Sequence, residues 1–317
     1  MSNYTFPLIN MTFSLILLVV ISGFIGKFSI SVAKFKKVPD VIIAGLLLGF
    51  IGSLGEISLA VSASIVHYEE LMLGVVIGGV IAMILFVGGI SAIVNKGIPS
   101  TSFNHTNILF VLNLSVIVFI YFVSGLSLSL GEGLVLILLF VLFLWQVLKN
   151  HGTLSIKSFK PLSSKKEYIL AVMTILFLVA NLFLTAGFTV ENAYYYVNLS
   201  GVGQFVTGLV LIAPLCAVPE LMFEIEISKK GTSKTALSDL MVSAIINLTL
   251  IAGGLAIVHP FTITNTALVT FNLFMLAFVT LIFDIYFFTK HRLERKEGII
   301  MVIAFVAYIV INYFLIV

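Results

Sequence analysis

The chain has 317 residues, 60% of them hydrophobic and only 10% charged, with a mean hydropathy of +1.21 and a formal net charge of +3. A soluble domain carries roughly a quarter charged residues, so the composition excludes one and implies an integral membrane protein. The single cysteine, Cys216, excludes an internal disulfide and any cysteine-built metal or iron–sulfur centre.

A helix needs roughly 20 apolar residues to cross the hydrocarbon core, and ten runs reach that length. The first, near 7–30, lacks a basic leader and a small-residue cleavage site, and reads as a retained helix rather than a signal peptide. Spans follow near 39–66, 70–95, 107–125 and 131–149. Beyond a polar stretch they resume near 168–188, 202–228, 236–258, 263–289 and 298–317. All seventeen Lys and Arg residues fall in alternate loops: Lys27 to Lys37, Lys96, Lys149 to Lys166, Lys229 to Lys234, and Lys290 to Lys296. The positive-inside rule assigns those loops to the cytoplasm and both termini to the outer side of a cell membrane. His67, His105, His151, His259 and His291 all lie in or beside loops, which argues against paired haem ligands at membrane depth.

The stretch 150–167 reads as a cytoplasmic linker between five spans in 1–149 and five in 168–317. An odd number of spans per half makes the second half run in the opposite sense, the arrangement of an inverted repeat common among secondary transporters. A shift of 164 residues overlays the second and third spans (about 39–95) on the seventh and eighth (about 202–258) without a gap, bringing Glu56 onto Glu220 and Gly89 onto Gly253. Leu47, Leu73 and Ile81 also meet identical residues under that shift. The expected fold is all-α, with ten transmembrane helices as two inverted five-helix repeats.

An ionised side chain at mid-bilayer costs about 2.5–3.5 kcal/mol on insertion scales, and such acids pair with a base or bind something. No Lys or Arg is available at depth. Glu56 and Glu220 enter from opposite sides to similar depths, so a metal ion or proton is the expected neutralising partner. "GFIGSLGE" (Gly49 to Glu56) and "APLCAVPE" (Ala213 to Glu220) each interrupt a helix just before the acid, through glycines in one and prolines in the other. Broken helices can present carbonyls and helix ends to a cation; they can also be mere kinks in a packed helix. In the eighth span Asp239, Ser243 and Asn247 are spaced i, i+4 and i+8 on one face, serving either a cation or as glue between helices. Glu224, one turn from Glu220, and Asp239 are candidates for lining a pathway, whereas Glu226 and Asp284 read as solvated acids near the surface. The third span contributes glycines, Gly74, Gly78 and Gly79, and no polar side chain over "LGVVIGGVIAMILFVGG".

With ten spans split five and five and an acid in the second helix of each half, the chain resembles the calcium/cation antiporter superfamily, which includes the sodium/calcium and cation/proton exchangers. That family carries a Gly-Thr-Ser-x-Pro-Glu-like stretch followed by a Gly-Ser-Asn or Gly-Ser-Asp stretch in each repeat. Here the first is "IGSLGE" (Ile51 to Glu56) and "LCAVPE" (Leu215 to Glu220), and the second is "GGVIAM" (Gly78 to Met83) and "VSAIIN" (Val242 to Asn247). The resemblance implies an antiporter, not an enzyme, with Glu56 and Glu220 as the central metal-binding acids and Ser53, Ser243 and Asn247 beside them. It implies no cofactor apart from transported Na+, Ca2+ or H+, and metal cations, protons and the lipid bilayer as partners, with no nucleic acid. The family's threonines are replaced by Gly52 and Cys216, its second-repeat serine by Ala217, and its Asn/Asp by Val80 and Ala244. Calcium takes six to eight oxygens, so this set fits an altered ion preference or proton coupling. The rival expectation, motivated by those lost ligands, is an ion-binding sensor or scaffold that moves nothing. An intramembrane enzyme is disfavoured, since no nucleophile–base pair lies at depth.

Overall fold

The computed structural model describes residues 4–38, 47–99, 103–149, 162–229, 233–290 and 292–315. The expected start of the second span and most of the 150–167 linker lie outside them. Among the described residues, nine helices are long and apolar enough to cross a membrane, and Leu54–Ile65 is a shorter apolar helix. The first span is Thr5–Phe35, the fourth Phe103–Ser124, the fifth Leu130–Lys149, the sixth Lys165–Ser200, the ninth Thr266–Lys290 and the tenth Arg295–Phe314. The sixth runs well beyond the expected 168–188. It starts at Ser164, whose hydroxyl accepts the Glu167 amide at 3.2 Å, and stops only at Gly201, in the left-handed region at φ 74°.

The remaining spans are interrupted, and they match in pairs. The third comprises Glu69–Ala82, a wider π-helical turn over Met83–Val87, and Gly88–Val94. The eighth comprises Ser233–Ile246, a π-helical turn over Asn247–Ile251, and Ala252–Val258, each boundary displaced by 164 residues. The described part of the second span is Leu48–Gly52 and Leu54–Ile65; the seventh contains a π-helical turn over Thr207–Ile212, then Ala213–Cys216 and Val218–Lys229. The interruptions fall at Ser53 and Ala217, one turn before the acids. They are milder than expected. Both residues keep near-helical backbone, and Gly49 O accepts from Ser53 N at 3.0 Å as Ala213 O does from Ala217 N at 3.1 Å.

The same symmetry governs packing. Two-residue antiparallel bridges join Ile98–Pro99 to Arg292–Leu293 and Ser127–Leu128 to Phe261–Thr262, so each half reaches across to the other. A Cβ on Gly89 would lie 2.8 Å from the Gly298 carbonyl, and one on Gly133 would lie 2.8 Å from the Gly253 carbonyl. These are corresponding contacts, third span on tenth and eighth on fifth. The third span is the centre of the molecule, buried along 94% of its most apolar stretch, against 17% for the sixth. It packs on the seventh, where Gly74 and Gly208 allow backbone contact: a Cβ on either would strike the Phe205 or Leu71 carbonyl. The first and sixth spans lie along each other and against the second. Phe13, Phe110, Phe177 and Phe274 are exposed on the outer helices, as a lipid-facing surface requires.

Candidate functional site

The acids reach the interior because the interrupted helices approach their neighbours closely. The second span meets the eighth at Gly49, where a Cβ would lie 2.6 Å from Val242 Cγ1, and Ser243 Oγ donates to the Gly49 carbonyl at 3.3 Å. The third span meets the seventh at Gly78, where a Cβ would lie 2.9 Å from that of Ala213. Gly49 corresponds to Ala213 and Gly78 to Val242, so the two approaches are one contact seen twice.

Between them sit Glu56 and Glu220, 1% and 2% exposed. Glu56 Oε2 accepts from Asn247 Nδ2 at 2.9 Å, and its Oε1 lies 3.2 Å from where a Gly79 Cβ would stand. Glu220 lies against Gly52, whose Cβ would be 3.2 Å from Glu220 Oε1. Gly52 is one turn from Glu56, so the two carboxylates are close enough to interact electrostatically, and Cys216 lies within such reach of both. Side chains at Gly52 and Gly79 would occupy the space the carboxylates use.

The hydrogen-bonding account of this cluster does not close. Neither Glu220 oxygen accepts from another residue, and Glu56 Oε1, Asn247 Oδ1 and Ser53 Oγ have no partner. Asn247 Nδ2 serves Glu56 and also the Ser243 carbonyl at 3.2 Å, which fixes the amide and leaves its oxygen as an acceptor. Buried polar atoms are paired in more than nine cases in ten, roughly, so unpaired oxygens in one place lack a donor or a cation. Among the described residues no Lys or Arg is buried. All five residues expected at the centre are therefore interior, and the two acids and Asn247 are brought together.

The repeats differ at one telling place. Asn247 corresponds to Met83, and the two face each other with Asn247 Nδ2 3.9 Å from Met83 Sδ. Glu56 receives an amide from the opposite repeat; the position that would serve Glu220 offers a thioether instead. The motif comparison already set Met83 at the position of Asn247; the structure adds that the two side chains meet.

Glu224 and Asp239 form a second buried acidic group, 1% and 3% exposed, on the side of the lysine-rich loops. Ser91 Oγ donates to Glu224, while Glu224 Oε1 and Asp239 Oδ1 accept nothing. Asp239 lies within electrostatic reach of Glu220 and Glu224. The corresponding positions of the repeats are Ala60, Val75 and Leu255, all apolar, so this second acidic group has no counterpart related by the repeat. Ser91, the lone hydroxyl of its span, escaped the sequence reading because it falls just past the glycine stretch. Asp284, expected to be solvated, is half-buried and accepts from Asn113 Nδ2 at 3.1 Å, since the ninth span packs on the fourth there. The Glu226 side chain lies outside the described residues.

The family model described as "Sodium/calcium exchanger protein" matches residues 6–149 and 169–314. The chain belongs to the sodium/calcium exchanger protein family. An exchanger-family sequence from Methanosarcina acetivorans, sodium/calcium exchanger MaX1, is 26% identical over 144 residues, covering 45% of this chain and 41% of that protein. An uncharacterized membrane protein of Methanocaldococcus jannaschii is 26% identical over 276 residues, 87% of each chain. Among solved structures, the sodium-calcium exchanger NCX_Mj soaked with Na+ and Sr2+ superposes with a TM-score of 0.68 at 21% identity, covering 96% of this chain and 98% of that one. The H+/Ca2+ exchanger CAX superposes with a TM-score of 0.80 at 16% identity, covering 97% and 84%. At these identities the likeness is one of fold, and the fold is that of two inverted five-helix repeats. This member of the exchanger family is thus a multi-pass membrane protein.

Proposed function

We propose that the chain is a secondary active cation antiporter in which Glu56 and Glu220 bind a metal cation, Ca2+ or another, and exchange it for Na+ or H+ by alternating access. The observation that carries this reading is the convergence of four buried oxygens that accept no hydrogen bond from another residue, on Glu56, Glu220 and Asn247, where the two repeats meet. Ser243 positions the second span through the Gly49 carbonyl. Glu224 and Asp239 pass the ion between the centre and the lysine-rich face, which we assign to the cytoplasm. The halves 1–149 and 168–317 are the two repeats that build the site between them, joined by 150–167.

The physical logic is neutralisation. An empty site holds two carboxylates in a medium where charge is costly, and a bound cation or proton removes that cost. The loaded site can pass through an enclosed state; the empty one resists it, which enforces exchange. Relatives named as sodium/calcium and H+/Ca2+ exchangers support Ca2+ as one cargo and Na+ or H+ as the other. Calcium with six to eight oxygens would need water or carbonyls besides these side chains, so proton coupling suits the site well.

A second reading follows from Met83, Gly52 and Cys216, three site positions without a side-chain oxygen: a sensor that binds the ion without moving it. Proteoliposomes loaded with Ca2+ and diluted into Na+, K+ or an acid medium separate the two. Antiport predicts efflux that requires a counter-ion. Saturable binding with no counter-ion-dependent efflux would leave the sensor standing.

A further inference from the structure

On the face opposite the lysine-rich loops, three side chains from both repeats converge away from the central acids. His67 lies between the second and third spans, Glu69 opens the third, and His259 closes the eighth. His67 Nδ1 is 3.5 Å and His259 Nδ1 3.2 Å from the same oxygen, Glu69 Oε1. The three ligand atoms all lie within 4.8 Å of one another, and the two rings are 4.2 Å apart.

Two imidazoles beside one carboxylate would ordinarily be explained by hydrogen bonds. Here Glu69 Oε1 accepts none, although the Glu69 side chain is only 7% exposed. The adjacent Glu70 is engaged differently, accepting from Thr264 N at 2.5 Å and Thr264 Oγ1 at 3.0 Å. A tetrahedral zinc with ligand bonds of about 2.0–2.1 Å holds its ligand atoms roughly 3.3–3.4 Å apart. The two measured separations bracket that value. Repeat symmetry does not generate the trio, because Glu69 corresponds to Ser233 and His259 to Asn95. An open cavity of about 440 Å³, lined by His67, Glu69, Gly201, Gln204 and Thr264 among others, gives access for the ion and for water as a fourth ligand.

We propose that His67, Glu69 and His259 form a binding site for a divalent transition-metal ion of the zinc class, distinct from the central carboxylates. The bound ion ties the start of the third span to the end of the eighth and so clamps one repeat to the other on this face. Two nitrogens and one oxygen suit Zn2+ and disfavour Ca2+ and Mg2+, which take oxygen ligands.

The test is equilibrium dialysis of the full chain in detergent against micromolar Zn2+ with excess Mg2+, comparing wild type, His67→Asn, His259→Ala and Glu56→Gln. His67 has φ 57°, a left-handed backbone that asparagine tolerates, and the His67 and His259 side chains are 65% and 46% exposed, so both changes should leave the fold intact. A monodisperse gel-filtration peak checks this. The proposal predicts one Zn2+ that survives Glu56→Gln and whose affinity drops at least about tenfold in each histidine variant, the loss that follows even when only a ligand's supporting partner is removed. Absence of Zn2+ binding overturns it. So does Zn2+ held undiminished by both histidine variants, or lost on Glu56→Gln alone.

Discussion

Glu56 and Glu220 hold equivalent places in the two repeats, yet their surroundings are unequal, and that inequality is testable side chain by side chain. Glu56 accepts the Asn247 amide, while neither Glu220 oxygen accepts from another residue. Asn247→Ala removes both the donor to Glu56 and a candidate ligand oxygen, and should weaken cation binding about tenfold, given roughly 1–3 kcal/mol for an unmet buried group. Met83→Asn supplies the repeat-related amide and an added oxygen; the expected outcome is tighter Ca2+ binding, read as a larger calcium-dependent rise in melting temperature. Acid should act in the opposite direction. Metal binding requires both carboxylates unprotonated, so apparent Ca2+ affinity falls as pH falls, and titration of Ca2+ uptake across pH checks the sign. The acids were legible in the sequence because a glutamate in an apolar run has no neutral explanation. The room that Gly52 and Gly79 leave for the carboxylates was not, since a missing side chain becomes informative only when the facing helix is known.

At the scale of elements, close backbone approach is what holds the acids at the centre. Gly74 and Gly208 permit the third and seventh spans to touch where any side chain would collide with a carbonyl. Gly208→Ala should destabilise the protein by about 1–3 kcal/mol, as overpacking does, and lower its melting temperature in detergent. Alanine at Gly254, which has open space, should do neither. Span number and order followed from apolar run length and from the alternation of lysines, because the bilayer imposes both. The π-helical turns at Met83 and Asn247 had no sequence signal, being one extra residue in an otherwise regular helix. Conversely, the prolines and glycines before the acids promised broken helices, and the structure keeps them nearly continuous. Pro214 and Pro219 fall in the first turn of the segments they open, where the missing N–H costs little.

The whole molecule is a pair of interlocked halves whose symmetry is broken along one polar track. Glu224, Asp239 and Ser91 lie between the centre and the lysine-rich face, and Ala60, Val75 and Leu255 hold the equivalent positions with apolar side chains. The assigned orientation is checked by cysteines introduced at Ser163 and Asn198 in a Cys216→Ser background. A membrane-impermeant maleimide should label Asn198→Cys in intact cells and Ser163→Cys only after permeabilisation; the reverse pattern would invert the topology. The central claim concerns what two buried carboxylates do for transport, and counter-ion-driven Ca2+ uptake into proteoliposomes addresses it most directly. Glu56→Gln and Glu220→Gln, both monodisperse and reconstituted at equal density with wild type, should each show no uptake above empty vesicles. Near-wild-type uptake by both variants would contradict the account.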